Sequence, residues 1–151
     1  MEPAQPGLTT SIPAALLEPR LRTFLERKLF ASLATVDPDG APRQAVLWYR
    51  LEDDGRIMIN SLAGRRWPTN LERDGRIAMS IIDTDDGYSW LGLSGHVDAT
   101  DTDVDRARED IVALAYRYRE HPTPVSLANF RSQQRITFRI AIDAVHDHLE
   151  D

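Results

Sequence analysis

The chain has 151 residues, 42% hydrophobic and 28% charged, enough for one domain with a sizeable core. Its net charge of −6 argues against a nucleic-acid-binding surface, which needs a basic face. The absence of cysteine excludes disulfides, thiol catalysis and thiolate metal sites. No apolar run approaches the roughly 20 residues of a membrane span, and Met1 to Pro13 lacks the basic and apolar regions of a signal peptide. A soluble, cytoplasmic protein with neither membrane nor nucleic-acid partners is expected.

In chain order, residues 1–13, rich in Pro, Gly, Thr and Ser, read as a flexible N-terminal tail. Ser11 is placed to cap a helix with Pro13 in its first turn. Leu16, Leu17, Leu21, Phe24, Leu25 and Leu29 recur near helical spacing, and Pro19 interrupts them, which predicts a helix from about Pro19 to Lys28. Phe30 to Val36 reads as a strand and Asp37-Pro-Asp-Gly40 as a tight turn. A second strand from Arg43 to Leu51 turns at Glu52-Asp-Asp-Gly55 into a third, Arg56 to Asn60. Arg76 to Asp83 and Tyr88 to Ala99 read as further strands, with Gly92 and Gly95 marking a bulge or a close backbone approach. Asp101 or Thr102 is expected to cap the one long helix, which His121-Pro122 ends. Its buried face is Val104, Ala107, Ile111, Leu114, Ala115 and Tyr118, and its wet face Arg106, Arg108, Glu109, Arg117 and Arg119. Ser126 to Ser132 forms a short helix, and Gln134 to Asp143 a last strand with Ile136, Phe138, Ile140 and Ile142 on one face.

Residues 14–146 thus make a single domain, followed by a C-terminal tail over 147–151. Six strands at short spacing with few helices predict a mainly β (α+β) protein built on a small antiparallel barrel. Such a barrel is filled by its own side chains, so a large flat cofactor has to bind outside it, in a groove completed by a second subunit. Trp48, Trp67 and Trp90 fall at exposed positions, which predicts an obligate homodimer with a large apolar interface.

The stretch Asn60-Ser-Leu-Ala-Gly-Arg-Arg-Trp-Pro-Thr-Asn-Leu71 joins the third strand to a short helical signal over Pro68 to Arg73. Amide and hydroxyl donors at Asn60 and Ser61, a flexible Gly64 and two guanidiniums at Arg65 and Arg66 are what a phosphate or carboxylate needs. Other motifs carry no chemistry. Asp83-Thr-Asp-Asp-Gly-Tyr88 lacks the spacing of a calcium loop, and His146 and His148 want a third metal ligand. Gly92-Leu-Ser-Gly95 lies inside a strand, so it is not a dinucleotide fingerprint, and no nucleophile elbow is present. If the protein is an enzyme, a cofactor carries the reaction.

The chain resembles the split-barrel flavin and deazaflavin proteins related to pyridoxamine 5′-phosphate oxidase, and more closely their coenzyme F420-dependent branch. The resemblance rests on Phe30-Ala-Ser-Leu-Ala-Thr-Val-Asp-Pro-Asp-Gly-Ala-Pro42, Leu47-Trp-Tyr49, Gly64-Arg-Arg-Trp-Pro-Thr-Asn-Leu-Glu-Arg-Asp-Gly-Arg76, Asp85-Asp-Gly-Tyr-Ser-Trp90 and Ser94-Gly-His-Val97, in that order. It implies a six-stranded antiparallel split β-barrel with peripheral helices, forming a homodimer with cofactor sites at the subunit interface. Carried over, Ser61, Arg65 and Arg66 hold the cofactor phosphate, Gln44, Ala45, Val46, Leu47 and Trp48 line its ring, and Asn70 braces the turn. Asn60 and Trp67 complete the candidate set. Many relatives have lysine where this chain has Trp67, whose ring is able to stack on a cofactor or to pack under the turn. The implied activity is hydride transfer from reduced F420 to a small unsaturated organic substrate. An FMN-dependent oxidoreductase and a non-catalytic flavin- or deazaflavin-binding protein are the alternatives, and no residue is assigned a catalytic role.

Overall fold

A computed structural model describes residues 17–150; the expected tail over 1–13, the Ser11 cap and Leu16 lie outside the described residues. The elements in chain order are α1 (Pro19–Leu25), β1 (Ala31–Val36), β2 (Pro42–Leu47), β3 (Arg50–Leu51), β4 (Ile57–Leu62), α2 (Arg66–Arg73), β5 (Arg76–Ile82), β6 (Trp90–Asp101), α3 (Val104–Tyr118), α4 (Pro124–Ser132) and β7 (Arg135–His148). The strands form one antiparallel sheet in the order β2-β1-β5-β6-β7-β4-β3. Its two edge strands, β2 and β3, are consecutive in the chain, so the sheet curls on itself as a split barrel with helices at its rim.

Alternation fills the inside of the curl. Ala31, Leu33, Ile77, Met79, Ile81, Leu91, Leu93, Ile136, Phe138, Ile140, Ile142 and Val145 share one core with α1. β4 and the first half of β7 are buried on both faces because α3 lies over them. Met58 packs on Ile111, Leu114 and Tyr118 in a second cluster, and Arg135 and Thr137 are as buried as the isoleucine and phenylalanine beside them.

The expected second strand breaks in two. Trp48 lies flat on Tyr118, with centroids 5.1 Å apart and planes 4° from parallel. The Tyr118 hydroxyl accepts from the Tyr49 N–H and donates to the Leu29 carbonyl, so Tyr49 has no strand partner there. The helix expected to reach Lys28 stops at Leu25, because the guanidinium of Arg117 takes the carbonyls that follow. Arg117 is therefore not the solvated residue its position on α3 implied.

The cap of α3 is Asp103, whose carboxylate accepts from the Arg106 N–H at 3.2 Å, rather than Asp101 or Thr102. That helix ends at Tyr118, ahead of His121. Thr123 caps α4, and Pro124 opens it two residues before the expected start. β7 runs through His148, into the segment read as a tail, because β6 pairs with it as far as Trp90 and His148. His146 and His148 are stacked on each other and on Trp90 instead of being free in solvent. Among the described residues no helix is long and apolar enough to cross a membrane.

Ion pairs tie the ends of the elements together. Arg27, just after α1, holds Asp83, just after β5, through two hydrogen bonds of 2.9 Å. Those bonds pull the Asp83 carboxyl down to about 2. A carboxyl lowered in the folded state stabilises it above the unfolded pKa, near 4, and that contribution is lost as pH falls through the folded value. We therefore expect the difference in melting temperature between wild type and Asp83→Asn to be constant above about pH 5 and to close towards pH 2. Melting curves across that range check this.

Candidate functional site

The turn between β4 and α2 sits between two clefts. Gly64 adopts φ +88°, which turns the chain sharply before Arg65. Helix α2 begins at Arg66 rather than Pro68, placing the proline third, where its missing N–H is still one of the unpaired donors of a first turn. Arg65 is the cap residue, so Arg65 and Arg66 diverge to opposite sides of the helix start.

The first cleft, about 310 Å³, is lined by Val46, Leu47, Trp48, Asn60, Ser61, Leu62, Arg65, Trp67, Ile111, Leu114, Phe130, Gln133 and Arg135. It brings together most of the expected site residues from β2, β4 and the turn. Its walls are aromatic. Trp48 is backed by Tyr118, with the Arg119 guanidinium 5.3 Å from its ring, and Trp67 packs against Phe138 at 6.0 Å. All three tryptophans are only part-exposed and packed on neighbours, contrary to the expectation of open aromatic surface. Large exposed apolar side chains lie elsewhere, at Phe30, Val46 and Ile82 among others.

Asn60 is buried and fully engaged. Its Nδ2 donates to the Ala107 carbonyl at 2.9 Å and to Thr137 Oγ1 at 2.8 Å, and its Oδ1 accepts from Arg135 Nε at 2.9 Å. The Ser61 hydroxyl, also buried, donates to the Leu62 carbonyl at 2.9 Å. Among the described residues no acidic one lines this cleft. Burial first, and the charge of Arg65 after it, pull the Arg135 guanidinium down to about 10.

The second cleft is wider, about 710 Å³, and open. It holds Arg66 and Asn70 with Asp37, Pro38, Asp39, Arg43, Gly64, Thr69 and Arg73. Its centre is the Asp37 carboxylate, which accepts from Arg43 Nε at 2.5 Å, Arg66 Nη1 at 3.1 Å and Asn70 Nδ2 at 2.9 Å. Hydrogen bonds from Arg43 and then Asn70 hold Asp37 below the ordinary carboxylate range. Asn70 also donates to Thr35 Oγ1 at 3.1 Å, so it braces β1 against α2. Arg66 and Asn70 are thus separated from the first cleft. Gln44 and Ala45 line neither cleft, although Gln44 is exposed beside Val46 on the β2 edge.

Arg135 and Gln133 have no counterpart in the sequence reading. In the alternation of β7, Arg135, Thr137 and Arg139 form the polar face, which reads as solvent-facing. α3 covers that face, and a polar seam forms beneath it. A run of polar residues opposite a fully apolar face, followed upstream by an unpaired amphipathic helix, is the only sequence signal that could have shown it.

Fold and site together place the chain among the split-barrel proteins. It belongs to the pyridoxamine 5′-phosphate oxidase family, whose model matches residues 17–149, a family of flavin-type oxidoreductases. Among solved structures, it is similar to a protein described as an F420 reductase, with 27% identity, a TM-score of 0.70, and coverage of 82% of this chain and 94% of that one. It shares the fold of a conserved hypothetical protein of Mycobacterium tuberculosis, with 23% identity, a TM-score of 0.68 and coverage of 93% and 91%. The HupZ protein of Group A Streptococcus also has this fold, with 16% identity, a TM-score of 0.65 and coverage of 89% and 96%. No curated protein matches the chain.

Proposed function

We propose that the protein is a coenzyme F420-dependent oxidoreductase that reduces a small unsaturated organic substrate and works as a homodimer. The observation that carries this reading is the make-up of the first cleft. It has aromatic walls and an arginine-tipped end with no acidic lining residue among the described ones, in a chain with net charge −6. A deazaflavin bearing a ribityl phosphate needs both parts, a flat apolar wall and donors for a dianion. The likeness to a protein described as an F420 reductase supports the deazaflavin. Membership of the pyridoxamine 5′-phosphate oxidase family supports FMN as the second reading, since FMN shares the tricyclic ring and the ribityl phosphate.

When bound, the deazaflavin supplies the hydride. The chain's own contribution is placement and the exclusion of water. Ser61 and Arg65, at the end of β4 and the start of α2, hold the phosphate end. Trp48, fixed on Tyr118, and Val46 and Leu47 of the β2 edge receive the ring, while Ile111, Leu114 and Phe130 keep one wall dry. Val46, 75% exposed, with Phe30 and Ile82 at 50% and 51%, leaves apolar surface beside the cleft. A second subunit covers that surface and supplies the remaining wall.

Fluorescence titration with F420 and with FMN, on protein sized by light scattering, tests the reading. A dimer should bind F420, and Arg65→Ala should weaken that binding about tenfold or more. Preference for FMN would move the assignment to the second reading, and a protein that binds neither cofactor would overturn both.

A further inference from the structure

We infer that Arg135, with Arg65, forms a binding site for a phosphate dianion at the α3–β7 end of the first cleft, and that Arg66 takes no part in it. Arg135 is 8% exposed, yet among the described residues no carboxylate lines the cleft it occupies. Its partners are neutral: Nε donates to Asn60 Oδ1 and Nη1 to Gln133 Oε1, both at 2.9 Å. The guanidinium also lies over the Phe130 ring, 5.6 Å from its centroid. Nη2 is left without a hydrogen-bond partner among the described residues. Asn60 is itself pinned by α3 and by Thr137, so the guanidinium is held in place before any ligand arrives.

A buried charge without a counter-ion is unfavourable, and a second cation beside it makes it more so. Arg139, on the same face of β7, is by contrast paired with Glu52 at 3.0 Å and Asp110 at 3.4 Å. Neither Arg135 nor Arg65 is paired with an acid among the described residues, and an anion between them would relieve both costs. A phosphate monoester fits best, because two guanidinium forks match its oxygens and its double charge answers two cations. Arg66 is excluded by geometry, since it is turned to the other side of the α2 start and bound to Asp37.

Which molecule carries the phosphate rests on the proposed function; the site does not. Wild type, Arg135→Gln, Arg65→Gln and Arg66→Gln are melted with and without inorganic phosphate. The same proteins are titrated with FMN, with riboflavin, which lacks the phosphate, and with F420. Phosphate should raise the melting temperature of wild type and Arg66→Gln but not of Arg135→Gln or Arg65→Gln. Wild type should bind FMN at least about tenfold more tightly than riboflavin, and Arg135→Gln should bind the two alike. If Arg135→Gln does not fold, Arg65→Gln, altered at an exposed position, decides the matter by the same readouts. A phosphate response in Arg65→Gln or Arg135→Gln equal to that of wild type overturns the inference, as does the absence of any response in wild type. A response that depends on Arg135 in a protein that binds neither FMN nor F420 upholds the site and removes the proposed function instead.

Discussion

Gly95→Ala is expected to destabilise the fold by about 3 kcal/mol, the upper end of what overpacking costs, while Gly92→Ala on the same strand should cost about 1 kcal/mol. A Cβ on Gly95 would run into the carbonyl oxygen of Ala141 and come within 3.0 Å of Ile140 Cγ2. Gly95 is buried, faces Ile142, and sits at the register shift between Ser94 and Gly95 where β6 bulges against β7. The obstacle is backbone in the longest pairing of the sheet, so relief requires opening that pairing. At Gly92 the nearest atoms are Trp90 Cζ3 at 3.1 Å and His146 Cβ at 3.2 Å, contacts that a shift of a few tenths of an ångström relieves. For a chain of this size the first variant should melt roughly 10 °C lower than wild type and the second only a few degrees lower. Equal losses in the two variants would mean that the β6–β7 bulge can adapt to a side chain.

That pair of glycines shows what the sequence made legible. A glycine inside an otherwise regular strand pattern has few explanations, and a close backbone approach was one of them. The inward face of β7 was legible for the same local reason, because alternation has a fixed period and Ile136, Phe138, Ile140 and Ile142 obey it. The breaks were not legible. Trp48 leaves the sheet because of Tyr118, and α1 stops at Leu25 because of Arg117. Both partners lie on α3, far along the chain, and no local rule contains them.

The same limit applies to the site. Ser61, Arg65 and Trp67 could be read from one turn, since donors and cations at a strand-to-helix junction have a recognisable chemistry. The divergence of Arg65 and Arg66 depends on where α2 starts, two residues before the proline that marked it. Arg66 then meets Asp37, a residue whose turn signal gave no hint of a partner. Arg135 was invisible because its alternation partner set is polar and the helix that buries it docks from elsewhere.

Arg117→Ala should cost about 3 kcal/mol, with Arg117→Lys recovering less than half of the loss, since each hydrogen bond from a charged donor is worth roughly 1.5–3 kcal/mol where it is shielded. The guanidinium donates from Nε to the Tyr49 carbonyl at 2.9 Å and from Nη1 to Glu26 at 3.1 Å. Nη2 reaches Leu25 at 3.3 Å and Arg27 at 2.7 Å. Those carbonyls lie at the end of α1 and at the break between β2 and β3, so one side chain ties the helix end to the sheet edge. It also stacks over both Tyr49 and Tyr118, 5.3 Å from each ring centroid. Lysine keeps the charge but cannot direct donors to four diverging carbonyls. Because Tyr118 carries Trp48 on its face, the alanine variant should also loosen the aromatic wall of the first cleft, weakening ligand binding there beyond what its lower stability explains. Urea unfolding of the two variants, with Trp48→Phe as a background to remove that residue's emission, separates the effects. An alanine variant as stable as wild type would show that water satisfies these carbonyls as well as the guanidinium does.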